Sequence, residues 1–122
     1  MRRVLFTGSR DWTDEGPVAA IVDGLPPDAV VIHGGARGLD SIVNRLAKAR
    51  GLQVLPFPAE WKKHGRQRAG QIRNQKMIDK GKPTEAHAFP LPASVGTWDM
   101  LQRLCKAGIP YVIHDPAPRY TP

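Results

Sequence analysis

Several features that mark particular classes of protein are scarce or missing in this sequence. It contains one cysteine, Cys105, which excludes an internal disulfide and suits a reducing compartment. Cys105 falls in an apolar helical stripe, where we predict core packing rather than catalysis. The four histidines, at positions 33, 64, 87 and 114, lack metal-ligand spacing, and one cysteine cannot anchor a zinc site. We therefore predict neither a metal nor a cofactor.

Long apolar runs are also missing. No stretch approaches the ~20 residues that a membrane-spanning helix needs. The N-terminus, MRRVLFTGSR, passes from two arginines into a short strand-like run and does not resemble a signal peptide. We expect a cytoplasmic protein that does not interact with membranes.

Acidic residues are few beside basic ones. The 122 residues include 18 Lys and Arg against 11 Asp and Glu, which gives a net charge of +7. Eight of the basic residues fall within residues 62–82, where Asp79 is the one acid. This balance suits a polynucleotide or a small phosphorylated ligand, although a solvated surface that maintains solubility explains it equally well.

Glycine is concentrated in one turn. Residues 29–40, AVVIHGGARGLD, predict a strand, a glycine turn and the start of a helix, a geometry that directs backbone N–H groups and a helix dipole at one point. Such a point attracts phosphate, and glycine lets an anion approach the backbone. The alternative is that the glycines only make the turn. We favour an anion or nucleotide site, with predicted contacts at His33, Gly34, Gly35, Ala36, Arg37, Gly38 and Asp40.

A second glycine turn, GSRDWT at residues 8–13, follows the first apolar strand. Its predicted ligand contacts are Gly8, Ser9, Arg10 and Trp12. Arg10 offers a planar fork of donors, and Trp12 offers either a stacking face for a base or a cover for the edge of the core.

The hydrophobic periodicity predicts five strands, at residues 3–7, 29–33, 53–57, 85–89 and 109–114. Helices are predicted at residues 15–24, 39–50, about 71–80 and 98–107. Residues 59–70 are predicted to form an exposed loop, either a lid or an ordinary connection. In the last helix, Thr97 is the predicted N-cap and the predicted inward stripe is Trp98, Leu101, Leu104 and Cys105.

Alternating strands and helices indicate an α/β fold, a single Rossmann-like doubly wound parallel sheet with helices on both faces. We expect one domain over residues 1–115, followed by a proline-rich tail at residues 116–122 in which Tyr120 is the one candidate core residue. Right-handed crossovers place the turns after strands one, two and four at one edge of the sheet. Ligands of such sheets bind at that edge, where the strand order reverses.

The turns match neither the dinucleotide fingerprint, since His33 stands where its first glycine is needed, nor a Walker P-loop. As an ordered series, however, the residues resemble the SLOG superfamily, and within it the YspA/YpsA-related branch of small proteins. More distant relatives are the LOG phosphoribohydrolases and the Smf/DprA proteins. The matching segments are TGSR at residues 7–10, HGGARGLD at 33–40, WK at 61–62, IRNQKM at 72–77 and GTWDM at 96–100.

The resemblance implies binding of a nucleotide or nucleotide-derived ligand, with its phosphate on the turn after strand two and with Asn74, Gly96 and Thr97 near it. By position, Arg73 matches the catalytic arginine of the LOG enzymes, and Asp99 matches the first acid of their Gly-Thr-x-Glu-Glu pattern. Asp99 is one methylene shorter than glutamate, and Met100 replaces the second acid. A clamp on phosphate is the more conservative role for Arg73, and stabilisation of the helix start is the alternative role for Asp99.

Three functional hypotheses follow. The first is a nucleotide-binding protein. The second is a single-stranded nucleic-acid-binding module of DprA type, in which the basic cluster at residues 62–82 would supply charge and Trp61 and Trp12 could supply stacking aromatics. The third is an N-glycosidase of LOG type. The resemblance also implies a homo-oligomer, most simply a dimer.

Overall fold

The computed structural model describes residues 1–115, apart from the side chains of residues 66 and 67. These residues form five strands and five helices, and the predicted tail, with Tyr120, lies outside them. In chain order the elements are β1 (Arg3–Gly8), α1 (Gly16–Asp23), β2 (Val30–His33), α2 (Leu39–Ala49), β3 (Gln53–Pro56), α3 (Trp61–His64), α4 (Arg66–Asp79), β4 (Glu85–Phe89), α5 (Val95–Ala107) and β5 (Tyr111–Ile113).

The strands form one parallel sheet in the order β3-β2-β1-β4-β5. Side chains that alternate along each strand enter two apolar layers, one on each face. Val4 and Phe6 of β1 pack with α1 and α2 on one face, whereas Leu5 packs with α4 and α5 on the other. The predicted doubly wound α/β architecture is therefore confirmed. The strand order reverses between β1 and β4, because β2 and β3 lie on one side of β1 and β4 and β5 lie on the other.

Residues 59–70 differ from the prediction of a loop. Most of the segment is helical, because α3 occupies Trp61–His64 and α4 starts at Arg66, before the predicted start at residue 71. Gly65, at φ 79°, joins the two helices. Among the described side chains at the start of α4, Ala69 is buried and Arg68 is exposed. The segment therefore lacks the apolar periodicity from which a helix is predicted.

The last helix also differs. It starts at Val95 with Ser94 as its N-cap residue, and its buried residues are Thr97, Met100, Leu101 and Leu104. Thr97 is thus an inward-facing residue of the first turn rather than the N-cap. Trp98 is 43% exposed and Cys105 is exposed, since both lie about 100° around the helix from the buried series.

Among the helices formed by residues 1–115, none combines the length and apolar composition that a bilayer crossing requires.

Candidate functional site

A cavity of about 410 Å³ lies at the carboxyl edge of the sheet, where the strand order reverses. The turns after β1 and β2 and the segment that opens α5 all line it, as the crossover argument predicts, and α4 forms a further wall. The predicted site residues that line it are Gly8, Ser9, Arg10, Gly34, Ala36, Arg37, Asp40, Arg73, Asn74, Gly96, Thr97 and Asp99. A neighbouring cavity of about 280 Å³ includes Gly35 in its wall.

The first two turns are joined through the backbone of Ser9. Its carbonyl oxygen accepts hydrogen bonds from the amides of Trp12 (3.3 Å) and Leu39 (3.1 Å), the first residue of α2. Gly38, at φ 72°, passes so close that a β-carbon there would lie 2.6 Å from the Ser9 oxygen. Gly8 is held in a similar way, because a β-carbon would lie 2.5 Å from Cγ of Leu39. Both glycines therefore permit close packing of the two turns.

Side chains of the second turn accept the hydrogen bonds of its own amides. Oδ2 of Asp40 accepts from the amides of Gly34 and Ala36, each at 3.2 Å, and Nδ1 of His33 accepts from the amide of Gly35 at 2.9 Å. Because Nδ1 accepts, Nε2 carries the ring hydrogen and donates it to Oδ1 of Asn44 at 3.0 Å. These three amides are therefore not open to an anion in this arrangement.

This arrangement corrects the assignment of His33 as a ligand contact. The residue is 3% exposed and lines neither cavity, and its two ring nitrogens are occupied by the Gly35 amide and by Asn44 of α2. Trp12 also needs correction, since it is 3% exposed and packs edge-on against Phe89 with ring centroids 5.3 Å apart. Its faces are closed to a ligand, and it covers the edge of the core as the alternative interpretation had it.

Asp40 is buried beneath the second turn. Its Oδ2 is occupied by the two amides, whereas its Oδ1 has no hydrogen-bond partner among the described residues. Burial raises the pKa of Asp40 above its ordinary value, against the opposing effects of His33, the two amides and Arg73. Asp40 thus organises the turn that lines the cavity.

Arg73 of α4 extends across the same turn. Its Nε donates to Oδ1 of Asn74 at 3.0 Å, and its Nη1 donates to the carbonyl oxygen of Gly34 at 2.5 Å. It forms no ion pair with the residues that the structure describes. Burial lowers the pKa of the Arg73 guanidinium, Asp40 opposes that effect, and the charge of Arg10 adds to it. A β-carbon on Gly34 would lie 2.9 Å from Cζ of Arg73, so glycine is needed for this contact.

Asn74 connects Arg73 with the start of α5. Its Nδ2 donates to the carbonyl oxygen of Gly96 at 3.1 Å and to Oδ2 of Asp99 at 3.0 Å. Arg103, one helical turn after Asp99, donates to both carboxylate oxygens, at 2.8 Å from Nε and 3.3 Å from Nη2. Asp99 therefore lines the cavity as one half of an ion pair. Spacing of i, i+4 on a helix is the sequence signal that identifies Arg103 as its partner.

The remaining cationic groups lie at the mouth of the cavity. Arg37 pairs loosely with Asp11 at 3.6 Å, and both side chains are exposed. Arg10 lies over the indole of Trp61, with Cζ 5.2 Å from the ring centroid. Trp61, which the sequence suggested as a stacking aromatic for a nucleic acid but not as a contact of the nucleotide site, lines both cavities.

Within residues 1–115, no three His, Cys, Asp or Glu side chains are grouped so that they could hold a metal ion.

Comparison with known proteins assigns the family. Residues 2–64 match the family described as YAcAr, the YspA, cpYpsA-related SLOG family. The chain is 45% identical to the Gene 61 protein of Mycobacterium phage D29, over 92% of this chain and 95% of that protein. Its fold is similar to DNA processing protein A (DprA) from Streptococcus pneumoniae, with a TM-score of 0.59 at 17% identity, over 92% of this chain and 58% of that one. The chain therefore belongs to the YspA, cpYpsA-related SLOG family.

Proposed function

We propose that the cavity binds a nucleotide or a nucleotide-derived ligand and that Arg73 is the principal partner of its phosphate. The observation that carries the proposal is the position and the hydrogen bonding of the Arg73 side chain. Its guanidinium is largely buried, is fixed by Asn74 and Gly34, and lines the cavity without a carboxylate partner among the described residues. A fixed guanidinium with donors to spare matches phosphate oxygens well.

The neighbouring charges support an anionic ligand. Arg10 and Arg73 line the same cavity and repel each other, as the effect of Arg10 on the pKa of Arg73 indicates. A phosphate bound between them would relieve this repulsion. The amides of Arg37 and Gly38, which have no acceptor among the described residues, lie at the start of α2 and would supply further donors.

The size of the site fits the proposal. A volume of about 410 Å³ falls near the lower end of the ~300–1,000 Å³ typical of small-molecule sites. At Gly96, a β-carbon would meet nothing within 4 Å, so the backbone there borders open space. These dimensions favour a mononucleotide-sized ligand.

Hydrolysis of an N-glycosidic bond is a second candidate function, because Asp99 lies in the same cavity as Arg73. An acid near the anomeric carbon can stabilise an oxocarbenium-like centre or activate water. Both oxygens of Asp99, however, already accept hydrogen bonds from Arg103. For that reason we propose binding as the primary function. Release of free base from AMP, lost in Asp99→Asn, would establish the hydrolytic function instead.

A nucleic-acid ligand is a third candidate, favoured by the exposed residues Trp61, Lys62 and Lys63 of α3, of which Trp61 lines the cavity. The DprA protein, similar in fold, is by its name a DNA-processing protein. Aromatic rings beside basic groups are typical of single-strand binding. Affinity for an oligonucleotide that exceeds the affinity for AMP and falls steeply with salt would favour this function.

The test is calorimetry with AMP, ADP-ribose, NAD and inorganic phosphate. We expect binding of at least one nucleotide, and a roughly 10- to 100-fold loss of affinity in Arg73→Gln, as for a lost hydrogen bond to a charged group. Arg45→Gln is the matched control, since Arg45 is paired with Glu15 on the exposed side of α2 and lines neither cavity. Absence of binding by every probe, or equal affinity of wild type and Arg73→Gln, would refute the proposal.

We also propose that the protein is a homodimer. The exposed apolar side chains of the edge strand β5, Tyr111, Val112 and Ile113, offer a surface for association. Light scattering at two concentrations tests this, and a monomer at both would contradict it.

A further inference from the structure

The indole of Trp61 is a large aromatic surface left open at the mouth of the site. The residue is 41% exposed although it lines both cavities. Its backbone is fixed, because its carbonyl oxygen accepts a hydrogen bond of 2.8 Å from the Gly65 amide. On α4, a β-carbon added to Gly70 would lie 4.0 Å from Cη2 of the indole. The ring therefore belongs to the wall of the site and not to the core.

One face of this ring is covered by Arg10. The guanidinium lies 5.2 Å from the ring centroid, in the range of a cation–π contact. Arg10 has no ion pair and no hydrogen-bond acceptor for its side chain among the residues that the structure describes. The cation–π contact is therefore the interaction that places Arg10 in this position.

The pair formed by Arg10 and Trp61 stands between the two cavities. Both residues line the cavity of about 410 Å³ and the neighbouring cavity of about 280 Å³, and so does Arg73. Because the two cavities share these three residues, a ligand in either space lies close to Arg10, Trp61 and Arg73. A ligand with a phosphate and a planar group can contact the guanidinium of Arg73 and the indole of Trp61 at once.

We propose that Trp61 is the stacking platform for the base of the nucleotide and that Arg10 leaves the indole for the phosphate when the ligand binds. This inference rests on the proposed function of the cavity. Stacking of a base replaces a solvent-exposed cation–π contact with a larger contact area, and Arg10 exchanges the indole for an anion. The repulsion between Arg10 and Arg73 favours the same exchange, because the phosphate then lies between them.

From the stacking role we expect the ligand to combine a phosphate with an aromatic base, rather than to be a sugar phosphate alone. The test compares AMP with ribose 5-phosphate, which lacks the base. In Trp61→Leu we expect the affinity for AMP to fall roughly 10- to 100-fold, as for the loss of one base stack, while the affinity for ribose 5-phosphate stays within about twofold. Trp61→Phe keeps an aromatic face and should recover most of the affinity for AMP.

Fluorescence provides an independent measurement. The chain has three tryptophans, of which Trp12 is buried, and Trp98 is as exposed as Trp61 but lines neither cavity. We expect AMP to quench the emission of wild type and of the control Trp98→Leu, but not that of Trp61→Leu. Thermal melting of each variant establishes that it is folded.

The outcomes separate this inference from the proposed function. Suppose that wild type binds both AMP and ribose 5-phosphate. If Trp61→Leu then lowers the affinity for both ligands equally, or lowers the affinity for neither, the stacking role is refuted while phosphate binding stands. If wild type binds neither AMP nor ribose 5-phosphate, the stacking role is refuted, and the proposed function is refuted with it when ADP-ribose, NAD and inorganic phosphate also fail to bind.

Discussion

Replacement of Gly38 by alanine tests whether the turns after β1 and β2 are packed as closely as the cavity requires. Gly38 combines two constraints, a φ of 72° and a β-carbon position that meets the backbone of Ser9 and Arg10. The backbone of Gly38, at φ 72° and ψ −123°, lies in a region that L-residues rarely adopt and that costs them about 1–3 kcal/mol, and overpacking against a rigid neighbour costs about 1–3 kcal/mol more. We expect Gly38→Ala to lower the free energy of unfolding by about 2–6 kcal/mol.

Other glycines of the chain supply matched controls. Gly51 has a φ of 73° and open space around its β-carbon position, so Gly51→Ala measures the conformational cost alone. Gly8 has no positive φ but would contact Leu39 and the Phe89 carbonyl oxygen, so Gly8→Ala measures the steric cost alone. Gly96 has neither constraint and lies in α5, where alanine should stabilise the protein by up to about 1 kcal/mol.

The assay is urea unfolding of the four variants. With a slope of about 2 kcal/mol per molar urea, the loss expected for Gly38→Ala lowers the midpoint by roughly 1–3 M. The loss in Gly38→Ala should be at least as large as the combined losses of Gly51→Ala and Gly8→Ala. If Gly38→Ala costs no more than Gly51→Ala, the β1 turn does not press on the β2 turn, and the geometry argued for the cavity is wrong.

Three further predictions concern the polar groups around the site and the sheet edge. Asp40→Ala removes the acceptor of the two amides of the β2 turn, and we expect urea unfolding to show a loss of about 2–5 kcal/mol, larger than that of Asp40→Asn. Asn74→Ala removes the acceptor of Arg73 Nε, and we expect a lower melting temperature together with weaker binding of AMP. Burial lowers the pKa of both His87 and His114 below 6.5, so the unfolded chain binds protons that the folded one does not. Stability should therefore fall as the pH decreases from about 7.5 to about 5.5, and a double His87→Gln, His114→Gln variant should flatten that dependence of the melting temperature.

The sequence predicted the sheet and α2 well because their residues show strong periodicity. Val4 to Phe6 form an apolar run that alternates between the two layers, and Leu39, Ile42 and Val43 repeat at helical spacing. The segment of α3 and the start of α4 lacked that signal, since Ala69 is its one fully buried apolar residue. Its helices are held by tertiary contacts, which a local pattern does not contain. That is why Trp61 was predicted as a stacking aromatic for a nucleic acid but not as a wall of the nucleotide site.

The phase of α5 was predicted wrongly for a related reason. Trp98, Leu101 and Cys105 fall at i, i+3 and i+7, and this apolar helical spacing placed Trp98 and Cys105 in the core. The helix instead buries Thr97, which lines the cavity, and Met100, which packs with Leu5 in an apolar layer of the sheet. Exposed apolar side chains are common at protein surfaces, so an apolar stripe does not by itself determine which face of a helix is buried.

The roles of His33 and Asp40 could not be predicted from residue type. A histidine and an aspartate beside a glycine turn suit either a ligand or the turn itself, and the choice depends on hydrogen bonds that exist only once the turn has formed. In the folded chain these two side chains occupy the amides of Gly34, Gly35 and Ala36. In the proposed function, the guanidinium of Arg73, which comes from α4, is therefore the principal partner of the anion in place of these three amides. The glycines of the turn serve the site by making room, since Gly34 without a side chain is what lets Arg73 lie across it.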